Sequence, residues 1–355
     1  MEIAATTMSN NSAGHRHNRL TTIIAGIVAA SLLILCLRMH QQKAQWRQRH
    51  SEPDPDDPLP GLDPELLYVE SSAKKRSKPD DSTVWSYLDP VTRKSVLMAS
   101  EPRSVRGEPY VVRLFDRFSC KGGQIFIDVG LSVGFYGLLA RVRGCRVVAF
   151  ELQPTCIAIF QRGERLNDIW PPTPVVHRPV ADFDNRSFKL ASHVLDTCED
   201  LFSFFWQGNT HYNTVSLDRV LLPALSLVPG SRIGLMMIDI QGFEGWAVSG
   251  AWRLLERRQV DALIVEATWW PNVFWPIHKA YSMLAMVFDH GYTIRCIGPN
   301  PMWVAEFTDA AAWMQYGKAN SAMVKIGPND DRDISSCNDF FICISPCPID
   351  TSPLE

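Results

Sequence analysis

Gln124-Ile125-Phe126-Ile127-Asp128-Val129-Gly130-Leu131-Ser132-Val133-Gly134-Phe135-Tyr136-Gly137-Leu138-Leu139-Ala140, followed closely by Cys145-Arg146-Val147-Val148-Ala149-Phe150-Glu151, decides the fold of this chain. An apolar run ends in Asp128-Val129-Gly130, a second glycine follows at Gly134, and an amphipathic helical pattern begins there. A second apolar run then ends in an acid, Glu151. Strand, glycine turn, helix, strand and acid form the arrangement that wraps a nucleoside. The glycines let backbone approach the ligand, and the acid accepts hydrogen bonds from ribose hydroxyls. A dinucleotide fold uses Gly-x-Gly-x-x-Gly to set a helix N-terminus against a pyrophosphate. Here three residues separate Gly130 from Gly134 and no triple-glycine pattern appears. The spacing therefore suits one nucleoside without a pyrophosphate, such as S-adenosylmethionine, better than a nicotinamide dinucleotide.

Working outward, short apolar runs alternate with helical stretches from about Val84 onward. The strands expected are Gln124–Val129, Cys145–Glu151, Pro174–Val180, Arg232–Ile240, Ala262–Ala267, Tyr292–Ile297 and Phe340–Ser345. Helical patterns cover Phe135–Val142, Thr155–Leu166, Trp246–Arg257 and His278–His290. Near-continuous apolar strands alternating with helices predict an α/β fold, a mostly parallel sheet of seven strands covered on both faces. The last strand follows an irregular stretch, residues 299–338, and is expected to insert antiparallel at or near a sheet edge. Residues 186–217 read as a possible extra hairpin.

Ahead of this domain, residues 20–37 (LTTIIAGIVAASLLILCL) contain no charge. At about 1.5 Å per residue they reach roughly 27 Å, enough to cross a thin bilayer. The segment ends in Cys36-Leu37-Arg38-Met39 rather than a small-x-small site, which favours an uncleaved anchor over a cleaved signal peptide. Two basic residues precede it (Arg16, Arg19) and four follow (Arg38, Lys43, Arg47, Arg49), a count that by itself keeps the large domain in the cytoplasm. A short tail, an anchor, a stalk and a catalytic domain is also the order of lumenal Golgi enzymes. Asn185-Arg186-Ser187 supplies a glycosylation acceptor. The reading taken is an endomembrane protein (Golgi or endoplasmic reticulum) with a lumenal domain. The organisation is thus a tail over 1–19, an anchor over 20–37, a disordered stalk over 38–83 and one domain over 84–350. The stalk is rich in Pro, Asp and Ser and holds Lys74-Lys75-Arg76, without the apolar periodicity a packed core needs.

The chain has 355 residues, 46% of them apolar, enough to bury one substantial core. A formal charge of −3 and the absence of a basic stripe argue against nucleic acid as a partner. None of the nine cysteines forms a zinc-type spacing. Cys120, Cys145, Cys156 and Cys198 read as buried apolar thiols. Cys337, Cys343 and Cys347 crowd the C-terminus, and an oxidising compartment could pair some of the set.

The motifs resemble those of the FkbM family of S-adenosylmethionine-dependent methyltransferases, across roughly residues 110–300. Asp128-Val129-Gly130 with Gly134-Phe135-Tyr136 resembles the family's Asp-Val-Gly-Ala-Asn-x-Gly-x-Tyr. Val148-Ala149-Phe150-Glu151, with Pro154 beyond, resembles the element ending in Phe-Glu-Pro. Leu166-Asn167 and Ser216-Leu217-Asp218 resemble its Leu-Asn and Thr-Leu-Asp. Ile238-Asp239-Ile240-Gln241-Gly242-Phe243-Glu244 resembles Ile-Asp-Val-Glu-Gly-Ala-Glu, Ser249-Gly250-Ala251 the Lys-Gly-Ala after it, and Ile264-Val265-Glu266 the closing Leu-Val-Glu. The resemblance implies a class I methyltransferase fold and methyl transfer to a hydroxyl oxygen, on a glycan or small-molecule acceptor.

Cofactor-binding candidates are Asp128, Gly130, Gly134, Phe135, Tyr136, Glu151 and Asp182. Glu151 is assigned to the ribose, Asp128 to the methionine end and Asp182 to the adenine amine. Methyl transfer needs the acceptor held about 3 Å from the methyl carbon and its proton removed. Asp239 and Glu244 are the candidates for that acceptor-side chemistry, with His278 as a second choice. A plainer role for Glu244 is to cap the helix after Gly242, and for Asp128 to cap the glycine turn. Trp269-Trp270-Pro271-Asn272-Val273-Phe274-Trp275-Pro276 reads as an aromatic platform for a sugar ring or as ordinary loop packing. No metal site is expected. Leu131-Ser132 in place of Ala-Asn and Gln241 in place of a glutamate depart from the family pattern. They motivate an alternative, a catalytically inactive binding protein of the same fold; a nicotinamide-dependent oxidoreductase is the remaining one.

Overall fold

The computed structural model describes residues 59–68, 84–100, 109–120, 124–190, 197–198, 210–228, 230–266, 282, 284–297, 303–323, 339–347 and 349, all within the compact unit spanning 55–355. Residues 20–37 lie outside the described set, and no helix within it is long and apolar enough to cross a membrane.

Five strands run parallel: β3 (Ile125–Val129), β4 (Arg146–Phe150), β5 (Val175–Val176), β8 (Ile233–Ile238) and β9 (Ala262–Glu266). Strand β12 (Asp339–Ile344) is antiparallel both to β9 and to β10 (Tyr292–Ile297), and β11 (Trp303–Phe307) closes that edge. The order is β11-β10-β12-β9-β8-β3-β4-β5. All seven expected strands are present in a mostly parallel sheet, but the sheet has eight strands rather than seven because β11 adds to its edge. The last strand inserts antiparallel inside the sheet, between β9 and β10, rather than at its edge. Pro174–Val180 contracts to the Val175–Val176 pair. The chain leaves β3 toward β4 and β5, then returns to the other side of β3 with β8. That reversal places a crevice at the carboxyl ends of β3 and β8.

The strands are apolar on both faces because helices cover both. Ile125, Ile127 and Val129 face one core with α4 (Leu217–Ser226), α5 (Glu244–Ser249) and α6 (Trp252–Glu256). Phe126, Val147 and Ala149 face the other with α1 (Pro109–Phe115), α2 (Phe135–Val142) and α3 (Pro154–Leu166). The helix expected over Trp246–Arg257 is broken into α5 and α6 at Gly250-Ala251, and position 250 requires glycine, because a Cβ there would lie 2.2 Å from the Ala181 carbonyl oxygen. Asp218 joins the pieces, its carboxylate accepting from Arg253 N at 2.8 Å and Leu254 N at 3.0 Å, the first turn of α6.

Three expectations are corrected. Residues 59–68, read as stalk, pack on the domain: Leu59, Leu62 and Leu66 are buried, and Tyr68 N donates to Val175 O at 2.8 Å. Leucines three and four apart supply one apolar stripe, which the surrounding Pro and Asp obscure, and the segment covers the short β5 edge. Residues 299–338 contain regular structure, β11 and α7 (Ala310–Met323). Cys120–Cys145 and Cys156–Cys198 are disulfides rather than free buried thiols, as is Cys343–Cys347. Burial alone cannot separate a thiol from half of a disulfide, since both are apolar. The hairpin suspected within 186–217 is β6 (Ser187–Leu190) with β7 (Thr210–Asn213).

An unanticipated hairpin, β1 (Trp85–Leu88) and β2 (Ser95–Met98), caps the α2–α3 face. Asn167 grips it like a strand neighbour, accepting from Leu97 N at 2.9 Å and donating to Leu97 O at 2.6 Å. Arg143, its side chain 1% exposed, pairs with Asp89 (0% exposed) and with Asp116 at 2.9 Å, and donates to Phe115 O and Phe118 O. Removing the guanidinium would leave Asp89 buried without a partner charge. Arg143→Met is expected to cost about 3–5 kcal/mol, measured by urea unfolding.

Candidate functional site

Four carboxylates converge where β3, β4 and β8 end. Asp128 belongs to β3, Glu151 follows β4 directly, Asp239 follows β8 directly, and Glu244 is the first residue of α5. Gly130 allows the first loop to sit against the second. It has φ +91°, and a Cβ there would lie 1.8 Å from the Asp239 carbonyl oxygen. Gly134 has φ +82°, and a Cβ would lie 2.1 Å from the Phe160 ring of α3. Both glycines are required by close approach.

Glu151, 7% exposed, is wired to backbone rather than solvated. One carboxylate oxygen accepts from Ser132 N at 2.9 Å, the other from Leu152 N at 2.6 Å and Gln153 N at 2.8 Å. Burial pushes its pKa up to about 6 against the pull of those donors, with the charge of Asp239 adding to the rise. Ser132 reaches this geometry with φ +50°. What the loop needs here is an N–H in the left-handed region, and serine supplies that N–H as an asparagine would. Leu131 is buried in the α2 core.

Asp128 is 3% exposed. Its carboxylate accepts from Gly137 N in the first turn of α2, so the capping role is present, but Oδ2 is buried with no hydrogen-bond partner. Burial, then the charges of Asp239 and Glu151, hold its pKa well above the usual carboxylate range. Glu244, 1% exposed, locks its loop by accepting from Ile240 N at 3.1 Å and Gly242 N at 2.9 Å, and burial pushes it up to about 8. Both its oxygens lie on the Gly242 N–H, so the geometry favours the loop-closing role over contact with an acceptor. Asp239 is half-buried and more open, with one oxygen bonded to Gln241 Nε2 at 2.8 Å.

Two residues not singled out as site residues complete the cluster. Gln241, at φ +55°, also donates to Glu266 at the end of β9, at 3.0 Å. Asp239, Glu244 and Glu266 each offer an oxygen within 4.8 Å of the others, a spacing that could hold a divalent cation, although the Gln241 amide already bridges two of them. A cluster drawn from two strand ends leaves no spacing signal in sequence. Phe135 and Tyr136, expected at the cofactor, instead turn their rings into the core. Phe135 meets Tyr87 at 5.2 Å and Tyr136 meets Phe115 at 5.0 Å, ring centre to ring centre. Tyrosine and phenylalanine in a first helical turn satisfy a motif and a core equally well, and here burial decides. Asp182 is exposed beyond β5 and is not among the converging acids; its backbone lies under Gly250. His278 and the Trp269–Pro276 platform lie outside the described residues.

No family model and no curated protein matches the chain. Among solved structures it is similar to the SAM-dependent methyltransferase of Agrobacterium tumefaciens, at 11% identity and a TM-score of 0.31, covering 58% of each chain. It is also similar to precorrin-6y C5,15-methyltransferase of Geobacter metallireducens GS-15, at 11% identity and TM-score 0.32, over 69% of this chain and 92% of that one. A third is the SAH-bound methyltransferase PaMTH1 of Podospora anserina, at 10% identity and TM-score 0.30, over 69% and 80%. The first match thus spans little more than half of its relative's length. Likeness at this level carries no argument about chemistry, which rests on the geometry above.

Glu244 also makes stability depend on pH. The ordinary pKa is 4.5 and the folded value about 8, so between them the folded state binds the extra proton and stability falls as pH rises. The melting temperature of the ligand-free protein is expected to drop from pH 5 to pH 8. Glu244→Gln, whose amide oxygen can still accept from Ile240 and Gly242, should flatten that drop and melt above the parent at pH 8. Parallel slopes for the two proteins would assign the effect elsewhere. Gly130→Ala is expected to lose at least about 1–2 kcal/mol from the left-handed backbone alone, with the overlap on Asp239 adding to it, by chemical denaturation.

Proposed function

We propose that the protein is an S-adenosylmethionine-dependent methyltransferase that methylates a hydroxyl oxygen of a glycan or small-molecule acceptor. The observation carrying this reading is the set of buried or half-buried carboxylates at the carboxyl edge of β3, β4 and β8. Among the described residues none of the four has a lysine or arginine ion-pair partner. Such a group is costly to ionise by itself and is relieved by a cationic ligand. A sulfonium nucleoside carrying an ammonium group is that kind of ligand, whereas a dinucleotide's pyrophosphate would be repelled by the same acids. The resemblance of these segments to FkbM motifs supports the reading.

In this reading Glu151 holds the ribose hydroxyls, Asp128 presents its unpartnered oxygen to the methionine end, and Asp182 reaches the adenine amine. Gly130 and Gly134 shape the turn, and Glu244 holds the loop that carries Asp239. The cofactor supplies an electrophilic methyl group. Asp239 would orient the acceptor hydroxyl and take its proton as the oxygen is methylated. The bond from Gln241 Nε2 to Asp239 favours one alternative, a binding protein without turnover, because it occupies an oxygen the base would use.

Calorimetric titration with S-adenosylmethionine and S-adenosylhomocysteine tests the reading, and absence of heat with both would overturn it. Glu151→Gln is expected to weaken binding at least about tenfold, the loss of a charged hydrogen bond. Asp239→Asn should weaken cofactor binding less than Glu151→Gln does and lower methyl transfer about 10²–10⁴-fold. Binding by the parent with no transfer to any of a panel of hydroxylated acceptors would favour the binding protein.

A further inference from the structure

Seven cysteines, Cys120, Cys145, Cys156, Cys198, Cys296, Cys343 and Cys347, are disulfide-bonded. The bridges lie in different parts of the fold. Cys120–Cys145 joins the segment after α1 to the start of β4, Cys156–Cys198 ties the first turn of α3 to the segment between β6 and β7, and Cys343–Cys347 closes the turn after β12. Disulfides spread through a domain persist in secretory compartments and not in a reducing cytosol. This runs against the count of basic residues flanking 20–37, which favours a cytoplasmic domain.

The chain holds two Asn-x-Ser acceptor triplets, Asn10-Asn11-Ser12 and Asn185-Arg186-Ser187, on opposite sides of that apolar segment. A chain crossing a bilayer once at 20–37 can expose only one of them to the lumen. In the folded domain Asn185, Arg186 and Ser187 are all exposed, on the turn that leads into β6. Asn185 holds its place through backbone: its N–H donates to Thr214 O at 2.8 Å, and φ is +58°. Its side-chain oxygen accepts from Arg219 Nη1 at 3.2 Å, while Nδ2 takes no hydrogen bond among the described residues. A sugar on that nitrogen would project into solvent without displacing packed atoms.

We infer that the globular domain resides in an oxidising secretory compartment and carries an N-linked glycan on Asn185. In the modification Asn185 Nδ2 loses one proton and bonds the anomeric carbon of the incoming oligosaccharide, and the lipid pyrophosphate that carried the sugar leaves. The inference is independent of the methyl-transfer reading and does not use its residues.

The test is expression of the full chain in yeast, with endoglycosidase digestion and gel mobility, alongside alkylation of the unreduced protein and mass mapping. The expected result is a single-step shift on digestion. It should be lost in Asn185→Gln and in Ser187→Ala, and kept in Ser187→Thr, which preserves the triplet, and in Asn10→Gln. Cys120, Cys145, Cys156 and Cys198 should resist alkylation until reduced. No shift, a shift that survives Asn185→Gln, a shift lost in Asn10→Gln, or alkylation of those cysteines without reduction would each overturn it. Ser187→Thr and Asn10→Gln leave the Asn185 turn intact, so a folding failure in the other variants does not shelter the inference.

Discussion

The backbone N–H groups of Ser132, Leu152 and Gln153 close on the two oxygens of Glu151, and the turns at the carboxyl edge of the sheet are held around that contact. A buried carboxylate is tolerated only when donors replace the water it has lost. Here the donors come from two loops, the turn after β3 and the turn after β4, so satisfying one charge also fixes the relative position of both turns. Glu244 repeats the device one strand over with Ile240 and Gly242. Asp128 is the exception, since one of its oxygens is left without a partner.

Preorganisation of that edge depends on packing far from it. Arg143 collects Asp89, Asp116 and two carbonyl oxygens, and Asn167 collects both backbone groups of Leu97, so the β1–β2 hairpin is clamped over α2 and α3. Cys120–Cys145 holds the base of the same face. These contacts keep α2 seated on β3, and α2 in turn supplies the Gly137 N–H that holds Asp128. The acids are therefore more than polar groups standing at strand tips. They are also the means by which neighbouring turns are held in register.

Much of this was legible from local pattern. The apolar runs and the glycines at 130 and 134 marked the strands and the turn, because a parallel strand covered on both faces must be apolar along its whole length. The hairpin at 85–98, α4 with its internal Pro223, and the 303–323 elements were not marked. Proline or polar residues interrupt the pattern in these segments. Leu59, Leu62 and Leu66 were hidden by the prolines and aspartates around them, although three leucines are enough to seat a short segment once an edge such as β5 exists to receive it.

By itself, the sequence determined the apolar strands of the parallel part of the sheet and which acids stand at their ends, since both follow from periodicity over a few residues. It did not determine that Glu266 meets Asp239 through Gln241, that Phe135 and Tyr136 turn into the core, that Glu244 closes its own loop, or that Cys156 finds Cys198. Those outcomes depend on which strand ends become neighbours and on which side of a helix faces a sheet. Such relations arise only when β8 and β9 are laid beside β3 and the cost of burying each polar group is met by whatever lies across the gap.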